Sequence, residues 1–456
     1  MSNVRDFGAV GDGQADDTEA IQHTLQAGNG VLEFPPGIYT ISRTIEVPLS
    51  KQGPVGIVGV GGTAKVRMTG PGPAFRIVGT HGGTGDPKSV KPEITLSQRT
   101  PTVSGLEIEG AHEEADGIEL IGTMQSNIDG VLIQGVRHGI RLYRRNRNVR
   151  ISGCNIYHNR GVGIFLDELN LHQINIVGNH ISYNRLGGIR IEKSEIRNLQ
   201  ITGNDIEYNN HRVFGTPPEP TAEIYVDTTA EGASVAEVTV CSNTIQATDS
   251  EGGCNIRILG DPEQKHRPGI WAISGNIIGS QENNVHITGG HGISLSGNVI
   301  YSATNRNLLV EQSKQIQSTG NTFRRHTPSY GMGVRFVDST DCILSGCSLR
   351  DESETGQVSG APLLELVRCQ RIDVVGCQLL DGVPTGIDAE DCRQISIQTS
   401  TITDTRTEPV AAHAVRFRGE GRDNRISGCR VRARGQDEII ADEQAGLTTG
   451  DNCTDQ

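Results

Sequence analysis

One short phrase recurs along most of this chain: an apolar strand, a turn, and a second strand that ends on Gly-Asn or Gly-Cys. The most regular copies occupy residues 139–159, 163–184 and 188–209. Less regular copies follow at 223–243, 254–276, 284–298, 307–321, 333–347, 363–377 and 386–400. A period of roughly 20 to 30 residues with strand-like alternation is typical of a solenoid of parallel β-strands. The repeat therefore predicts an all-β chain whose coils stack on one another.

Alternation within each copy predicts which side chains are buried. In the strand that begins at Gly163, Ile164 and Leu166 must point to one side, and Phe165 and Asp167 to the other. A single strand of this kind cannot bury its apolar side, so neighbouring coils must share a core. The apolar positions are therefore predicted inside the solenoid, and the intervening positions on its surface.

The residue after each turn glycine forms a column that supports this register. Asparagine fills the column at Asn179, Asn204, Asn243, Asn276, Asn298 and Asn321. Cysteine fills it at Cys154, Cys347, Cys377 and Cys429. Stacked asparagines can hydrogen-bond from coil to coil, and a stacked cysteine acts as a small buried hydrophobe. We therefore interpret the column as structural, and the ten cysteines, which lack Cys-X-X-Cys pairs, predict free thiols.

Composition and charge exclude several functions. The 456 residues include 58 glycines and only 4% aromatic residues, which suits a solenoid with tight turns. A net charge of −13 argues against nucleic acid as a partner, and no apolar run is long enough to span a membrane. The first residues lack the features of a signal peptide. The compartment stays open: secreted or periplasmic if such a peptide was removed, and otherwise cytoplasmic.

The N-terminal segment predicts a helix that caps the first coil. Residues 16–28 carry Asp16 or Asp17 at the N-cap position, then Ile21 and Leu25 at helical spacing, and a glycine at the end. A solenoid must cover the core that its terminal coil would expose. We therefore expect an N-terminal cap with the first strands, a solenoid body, and a C-terminal cap or tail, at 1–45, 46–430 and 431–456.

The same N-terminal region carries a familiar sequence. It reads Val-Arg-Asp-Phe-Gly-Ala-Val-Gly-Asp-Gly-Gln-Ala-Asp-Asp-Thr at 4–18, Ala-Ile-Gln at 20–22 and Phe-Pro-Pro-Gly-Ile-Tyr at 34–39. This pattern resembles the N-terminal segment of the pectate lyase/polygalacturonase-type right-handed β-helix superfamily. The resemblance implies a single-stranded right-handed parallel β-helix and a carbohydrate-related role. It does not fix the reaction, since the members include glycoside hydrolases, lyases, uronate epimerases and phage tailspikes.

Outward residues of the first strand in each copy form two columns on one face, which we call the strip. The first column contains Glu119, Arg141, Phe165, Arg190, Tyr225, Arg257 and His286. The second column contains Ile121, Tyr143, Asp167, Glu192, Asp227, Leu259 and Thr288. The strip concentrates carboxylates, arginines and aromatic residues where solvated strands usually carry small polar residues. It is therefore the predicted functional face.

Three carboxylates on the strip predict its chemistry. Asp167, Glu192 and Asp227 fall on successive coils, so neighbours should lie roughly 5 Å apart and the outer two ~9–10 Å apart. Glycosidases use two carboxylates at about 5–5.5 Å for retention, or about 6.5–9.5 Å for inversion. Mutual repulsion would favour a proton on one carboxylate, as a general acid requires. We therefore predict a glycoside hydrolase in which these residues supply acid, base or nucleophile.

The remaining side chains of the strip are predicted to bind the substrate. Guanidinium groups suit an acidic sugar, and aromatic rings offer apolar faces to sugar rings. The predicted substrate-binding residues are Arg141, Tyr143, Phe165, Arg190, Tyr225, Arg257 and His286. Long loops are expected to wall this site at 210–222, 228–237 and 260–269.

A structural interpretation of the strip stays open beside the enzymatic one. The strip could be a solvated acid–base mosaic in which Arg141 and Arg190 pair with Asp167 and Glu192. The same carboxylates could instead hold calcium, since oxygen ligands at this spacing suit a hard cation. No other cofactor or metal is expected.

Two other functions also stay open. A lyase or epimerase acting on uronates would use Arg190, Tyr143 or His286 to abstract the proton next to the sugar carboxylate. A tailspike-like β-helix would bind carbohydrate without cleaving it. In either case the chain could associate as a homotrimer.

A basic run begins on the strip and continues beyond it. Its members are Arg141, Arg144, Arg145, Arg147 and Arg150. In an acidic protein, such a run could contact a sulfated or uronic polymer, or it could be a solvated turn. The sequence leaves both interpretations open.

Overall fold

The structure is a computed structural model that describes residues 2–210, 219–264, 268–325, 332–351, 358, 360–434 and 437–454. It divides into two units, Met1–Thr239 and Val240–Gln456, and each unit is described by itself.

The first unit consists of parallel strands in three sheets, named here for the order in which each coil supplies them. The first-strand sheet contains Ile45–Pro48, Gly72–Val78, Ala115–Met124, Ile140–Ser152, Ile164–Val177, Ile189–Glu192 and Ala222–Asp227. The second-strand sheet contains Ser2–Asn3, Val31–Phe34, Gly56–Gly59, Thr102–Ser104, Asn127–Asp129, Glu195–Thr202 and Ser234–Cys241, together with the second halves of Ile140–Ser152 and Ile164–Val177. The third-strand sheet contains Asp12–Asp16, Gly37–Ile41, Ala64–Met68, Glu107–Gly110, Leu132–Gln134, Asn155–Tyr157, His180–Ser182 and Asp205–Glu207.

The second unit repeats this arrangement. Its first-strand sheet contains Cys254–Leu259, Asn283–Thr288, Arg306–Glu311, Val334–Val337, Leu364–Val367, Thr385–Glu390, His413–Arg418 and Ile439–Ala441. Its second-strand sheet contains Gly269–Ser274, His291–Ser296, Lys314–Thr319, Thr340–Ser345, Gln370–Val375, Arg393–Gln398, Asn424–Ser427 and Leu447–Gly450. Its third-strand sheet contains Thr244–Gln246, Ile277–Gly279, Val299–Tyr301, Thr322–Arg324, Ser348–Arg350, Gln378–Leu380, Thr401–Thr403, Arg430–Arg432 and Cys453–Thr454.

Helices are few and short in the described residues. The α-helices are Thr18–Ala27, Leu49–Gln52 and Pro92–Ser97, and the 3-10 helices are Val4–Phe7, Pro87–Ser89 and Glu443–Ala445. Within the described parts of the chain, none of the helices has the length and apolar character needed to cross a membrane.

The predicted N-terminal helix is present as Thr18–Ala27, with Ile21 and Leu25 buried. Asp17 occupies the N-cap position but does not cap the helix with its side chain. Its carboxylate instead accepts hydrogen bonds from the N–H groups of Val10 and Gly11, at 2.6 and 3.1 Å. Of the two aspartates considered as caps, Asp17 thus uses its side chain to hold the preceding turn.

Inward side chains form the stacked rows that alternation predicted. Ile140, Ile164, Ile189 and Ile224 are neighbours through strand pairing, and each is fully buried. Burying an aliphatic side chain of this size contributes about 1.5–3 kcal/mol. Shared burial between neighbouring coils is therefore the main stabilising term of this parallel β-helix fold.

The predicted asparagine column forms hydrogen-bonded ladders. In the first unit, the amide of Asn179 donates to the side-chain oxygen of Asn204 at 3.0 Å. In the second unit, Asn243 donates to Asn276, Asn276 to Asn298 and Asn298 to Asn321, at 3.0, 2.9 and 2.9 Å. The cysteines of the same column are buried, and all ten cysteines of the chain are free thiols.

A second ladder in the first unit was not predicted from the sequence. Asn159 donates to Asn184 at 2.8 Å, and Asn184 donates to Asn209 at 2.6 Å. The ladder ends on Glu223, whose carboxylate accepts both the backbone and the side-chain N–H of Asn209. Complete burial raises the pKa of Glu223 well above the usual value for a glutamate.

Candidate functional site

Strand pairing in the first unit places the strip residues as the repeat predicts. In the first column, Arg141 lies beside Phe165, Phe165 beside Arg190, and Arg190 beside Tyr225. The second column runs, neighbour to neighbour, through Tyr143, Asp167, Glu192 and Asp227. The three carboxylates therefore occupy successive strands, with about 4.8 Å between adjacent backbones.

Arg141 joins two carboxylates of the strip. Its guanidinium group contacts Glu119 at 2.9 Å and Asp167 at 2.6 Å. Both acids are well covered, with side chains 8% and 16% exposed. Burial alone would lower the pKa of Arg141, but its hydrogen bonds to Asp167 and Glu119 outweigh burial and raise the pKa. Arg76 extends the alternation by contacting Glu119 at 2.6 Å and Glu46 at 2.7 Å.

Arg190 is a largely enclosed cation of the strip, with its side chain 13% exposed. Its Nε atom donates to Glu192 at 2.6 Å, and its Nη1 atom donates to Glu219 at 2.9 Å. The guanidinium carbon lies 4.8 Å from the centre of the Tyr225 ring. Burial alone would lower the pKa of Arg190, but its hydrogen bonds to Glu192 and its attraction to Glu219 raise the pKa.

Asp227 differs from the other two carboxylates. It accepts hydrogen bonds from the backbone N–H and the hydroxyl of Thr229, at 2.8 and 2.7 Å. Among the described residues no cation is paired with it, whereas Asp167 and Glu192 each contact an arginine. The pairing of Arg141 with Asp167 and of Arg190 with Glu192 is the pattern that the mosaic interpretation expects. Of the three carboxylates, Asp227 is the one without an arginine partner in the described ranges.

The aromatic rings of the strip are partly covered by cations. Arg141 and Arg144 lie over the Tyr143 ring, at 4.5 and 5.3 Å from its centre. Phe165 contacts the His138 ring, with 5.2 Å between ring centres. A ligand at Tyr143 would therefore meet guanidinium groups as well as the ring.

His138 is a part of the strip's surroundings that sequence reasoning missed. Its Nδ1 atom accepts a hydrogen bond from the backbone N–H of Val162 at 3.3 Å. Burial lowers its pKa to about 4, although Asp116 and Asp167 attract a proton. The ring is therefore neutral near pH 7. No sequence feature marked His138, because the other copies of the repeat carry different residues at the position before the first strand.

The two predicted residues of the second unit also lie beside each other, Arg257 next to His286. Arg257 donates to the Thr288 hydroxyl at 3.0 Å. His286 contacts the Glu311 carboxylate at 2.7 Å through Nε2. Burial lowers the pKa of His286 despite Glu311, and the hydrogen bond from His286 lowers the pKa of Glu311. Sequence reasoning missed Glu311, although the register places it one strand on from Thr288.

The predicted wall loops are described only in part. Residues 211–218 and 265–267, which belong to two of these loops, lie outside the described residues. Glu219, at the end of the first loop, reaches the strip through its ion pair with Arg190.

A long connecting loop before the regular repeats, residues 79–101, which contains the short helices Pro87–Ser89 and Pro92–Ser97, was not predicted as part of any site. The backbone N–H of His81 donates to the carbonyl of Gly122 at 2.9 Å. Arg147 donates to the carbonyl of Thr84 at 3.0 Å. A Cβ atom on Gly85 would clash with the ring of His172. The loop therefore crosses the coils that carry Gly122, Arg147 and His172. Its Gly-rich and Pro-containing sequence was the available signal that a loop interrupts the strands here.

No group of three or more His, Cys, Asp or Glu side chains is placed to hold a metal ion, as far as the described ranges of the chain show.

Two protein-family models match the chain. The model described as "Right handed beta helix region" matches residues 94–260 and 264–431. The chain belongs to this right-handed β-helix family. A second model, "Rhamnogalacturonase A/epimerase, pectate lyase-like", matches residues 1–72 of this β-helix protein. Both matches confirm the resemblance seen in the N-terminal sequence and the repeats.

Solved structures show the same fold. Tailspike protein 3 of bacteriophage CBA120 matches this β-helix protein with a TM-score of 0.53 at 13% identity, over 94% of this chain and 61% of the tailspike chain. The β-helix protein thus spans less than two thirds of that tailspike. A mutant tailspike protein of E. coli bacteriophage HK620, in complex with a pentasaccharide, matches with a TM-score of 0.56 at 13% identity, over 91% of this chain and 78% of the other. No curated protein sequence matches the chain.

Proposed function

We propose that this β-helix protein is a carbohydrate-active enzyme, a glycoside hydrolase that cleaves a polysaccharide or oligosaccharide bound along the strip of its first unit. The observation that carries the proposal is the register of Asp167, Glu192 and Asp227 on successive strands. Arginines and aromatic rings flank these carboxylates in the neighbouring column. The family description that matches the N-terminal residues and the pentasaccharide bound to the HK620 tailspike support a carbohydrate ligand.

Glu192 and Asp227 are the proposed reacting pair. Adjacent strands set them about 4.8 Å apart at the backbone, close to the spacing of about 5–5.5 Å that retaining glycosidases use between carboxyl groups. Arg190 orients the Glu192 carboxylate, which suits a nucleophile or a group that stabilises positive charge on the sugar. Among the described residues Asp227 pairs with no arginine and accepts its hydrogen bonds from Thr229, which leaves it as the proposed proton-transferring partner. Asp167, fixed by Arg141, completes the carboxylate row and would act with Asp227 if the reaction inverts.

An acidic sugar is the proposed substrate class. Arg190 already binds two carboxylates, and one of them, Glu219, has a side chain that is 52% exposed. A uronate carboxylate could replace Glu219 as the acceptor of the hydrogen bond from the Arg190 Nη1 atom. Calcium bridging such a carboxylate to the strip is the proposed alternative mode of binding.

The first test follows product formation from neutral, uronic and sulfated polysaccharides, with reducing ends and unsaturated-uronate absorbance recorded together. We expect reducing ends without absorbance, and products that keep the anomeric configuration. Replacing Glu192 with Gln or Asp227 with Asn should lower kcat by at least about 1,000-fold while the fold is kept. The matched control is Asp205→Asn, an exposed carboxylate on the third-strand sheet, which should leave kcat unchanged.

Each other outcome reassigns the function. Absorbance that rises with reducing ends would overturn hydrolysis and favour a lyase, with His286 and its partner Glu311 as the next residues to replace. Inversion of configuration would replace the pair Glu192–Asp227 with Asp167–Asp227. Activity retained in Asp227→Asn would overturn the proposed site.

A glycan-binding β-helix without hydrolysis is the second candidate. It is favoured by the ion pairs that already offset the charges of Arg141 and Arg190. The two tailspike structures add support from the fold. Polysaccharide binding without any product would establish it. A homotrimer is proposed with either function, and sedimentation equilibrium of the full chain would test it by giving three times the mass of one chain.

A further inference from the structure

The arginines of the basic run that begins on the strip lie on two different surfaces. Arg141 and Arg144 stay at the strip, over Tyr143. Past a bend at Arg144, which has a positive φ of 62°, the strand continues into the next sheet. Arg145 and Arg147 lie on that second surface, where Arg147 neighbours His172 in the strand register.

The arginines of this second surface lack the ion pairs that the strip arginines have. Among the described residues, neither Arg145 nor Arg147 pairs with a carboxylate, and the Nε and Nη2 atoms of Arg145 are buried without a hydrogen-bond partner. Glu195 lies close enough to attract Arg145, but its carboxylate accepts a hydrogen bond from Asn170 at 2.6 Å. Burial and the neighbouring Arg147 lower the pKa of Arg145. The surface therefore holds excess positive charge in a protein of net charge −13.

His81 supplies a second, independent observation. The residue is 3% exposed, and both of its ring nitrogens are buried with no hydrogen-bond partner in the described chain. Burial, then the charges of Arg145 and Arg147, lower the pKa of His81 to about 4. A buried imidazole N–H without an acceptor is unfavourable unless a ligand supplies one.

The loop from residue 79 brings these groups together. His81 and Thr84, both in the loop, reach the coils that carry Gly122 and Arg147. Gly85 packs against the His172 ring so closely that a Cβ atom would not fit. Burial, then three arginines led by Arg145, lower the pKa of His172. The loop therefore lies against the coils that carry Arg147 and His172, while both ring nitrogens of its own His81 stay without a partner in the described chain.

We propose that His81, Arg145, Arg147 and His172 bind a small oxyanion such as sulfate or a carboxylate, either as a free ion or as a substituent of a glycan. Guanidinium and imidazole N–H groups donate charge-assisted hydrogen bonds to such an anion. The anion would supply acceptors for the buried donors of Arg145 and His81. This site is separate from the carboxylate row and does not depend on cleavage at Asp227.

Calorimetric titration of the full chain with sodium sulfate, at ionic strength held constant with chloride, tests the site directly. Arg145→Gln and Arg147→Gln should each weaken sulfate binding by about tenfold or more. The matched control is Arg150→Gln, which removes the same charge from an exposed position of the same strand. Circular dichroism and the melting temperature establish that each variant is folded. No sulfate binding, or equal weakening in the control, would overturn the proposal.

A second measurement separates binding from general electrostatics and does not need a variant. Ring signals of His81 and His172, followed by NMR as the pH is varied, should show both pKa values rising when sulfate is added, because the anion offsets the arginine charge. The His138 signal should not move, since its ring lies at the strip. Unchanged His81 and His172 signals at saturating sulfate would contradict the site.

The source of the anion is decided by two further ligands, a sulfated disaccharide and a uronic disaccharide. Tighter binding of either disaccharide than of free sulfate or acetate, lost in Arg145→Gln, would identify a glycan substituent as the ligand. Binding of sulfate alone would identify a free ion. Both results support an oxyanion site, whereas failure of all these ligands would overturn it. Hydrolase activity is measured in a separate assay. A result that overturns the anion site therefore does not affect the proposed hydrolase, and the reverse also holds.

Discussion

Arg190 shows how one residue can organise a surface that alternation only places outward. A single guanidinium group donates to Glu192, donates to Glu219 and lies over Tyr225. Only a planar fork with several fixed donors can make these contacts together, so lysine could not replace it. At the residue scale, the strip is therefore a bonded network, and Asp227 stands out because its partners are the groups of Thr229.

The pH dependence of stability should reveal His138. Its folded pKa is about 4, below the usual 6.5, so between these pH values the unfolded chain takes up a proton that the folded chain does not. The contribution of His138 to stability should therefore be full above pH 6.5 and fall by about 1–3 kcal/mol as the pH drops from about 6.5 to 4. Urea unfolding at several pH values measures this fall, and His138→Gln should reduce it. His81, with the same direction of shift, accounts for part of what remains. An unchanged slope in His138→Gln would contradict the prediction.

At the scale of elements, each ladder satisfies polar groups that the stacked coils bury. The Asn184 amide donates to Asn209 and to the carbonyl of Ile156, and its oxygen accepts from Asn159. Such a ladder ties neighbouring coils together without any charge. Its end at Glu223 is the exception, since a carboxylate takes the place of the next amide.

Two substitutions in this ladder should act in opposite directions. Asn184→Ala should lower the free energy of unfolding by about 2–4 kcal/mol, because it leaves buried donors and acceptors unpaired. Glu223→Gln should hold or raise stability at pH 7, because one amide oxygen can accept both hydrogen bonds from Asn209. The raised pKa of Glu223 means that the contribution of this residue to stability falls as pH rises above about 4.5, and the glutamine should abolish that component. Destabilisation by Glu223→Gln at neutral pH would show that the carboxyl proton is itself bonded.

At the scale of the whole chain, stability comes from stacked coils and not from covalent cross-links. Of the ten cysteines, eight are buried, and all are free thiols. Hydrophobic rows and amide ladders recur in both units, so each unit carries its own core.

Reducing agents should leave the melting temperature unchanged. The reason is that no disulfide is present among the ten cysteines. Differential scanning calorimetry with and without dithiothreitol measures this, and the count of reactive thiols in denaturant should be ten. A lower melting temperature under reduction would show that cysteine pairs are oxidised in the purified protein.

The sequence by itself determined the repeat, the register and the columns. Because side chains alternate with a period of two and the copies align, the repeat alone places Asp167, Glu192 and Asp227 on successive strands, and strand pairing confirms that placement. The asparagine column likewise predicted its ladders, since one position repeated from coil to coil must stack.

Only the tertiary structure decided which side chains bond to each other. The ion pairs of Arg141, the contact of His286 with Glu311 and the closing of a ladder on Glu223 depend on rotamers between residues about one coil apart, which periodicity does not fix. The loop from residue 79 lies outside the regular copies, so its packing over Arg147 and His172 could not be read from the repeat. Register follows from a local pattern, whereas contacts across coils follow from three-dimensional packing.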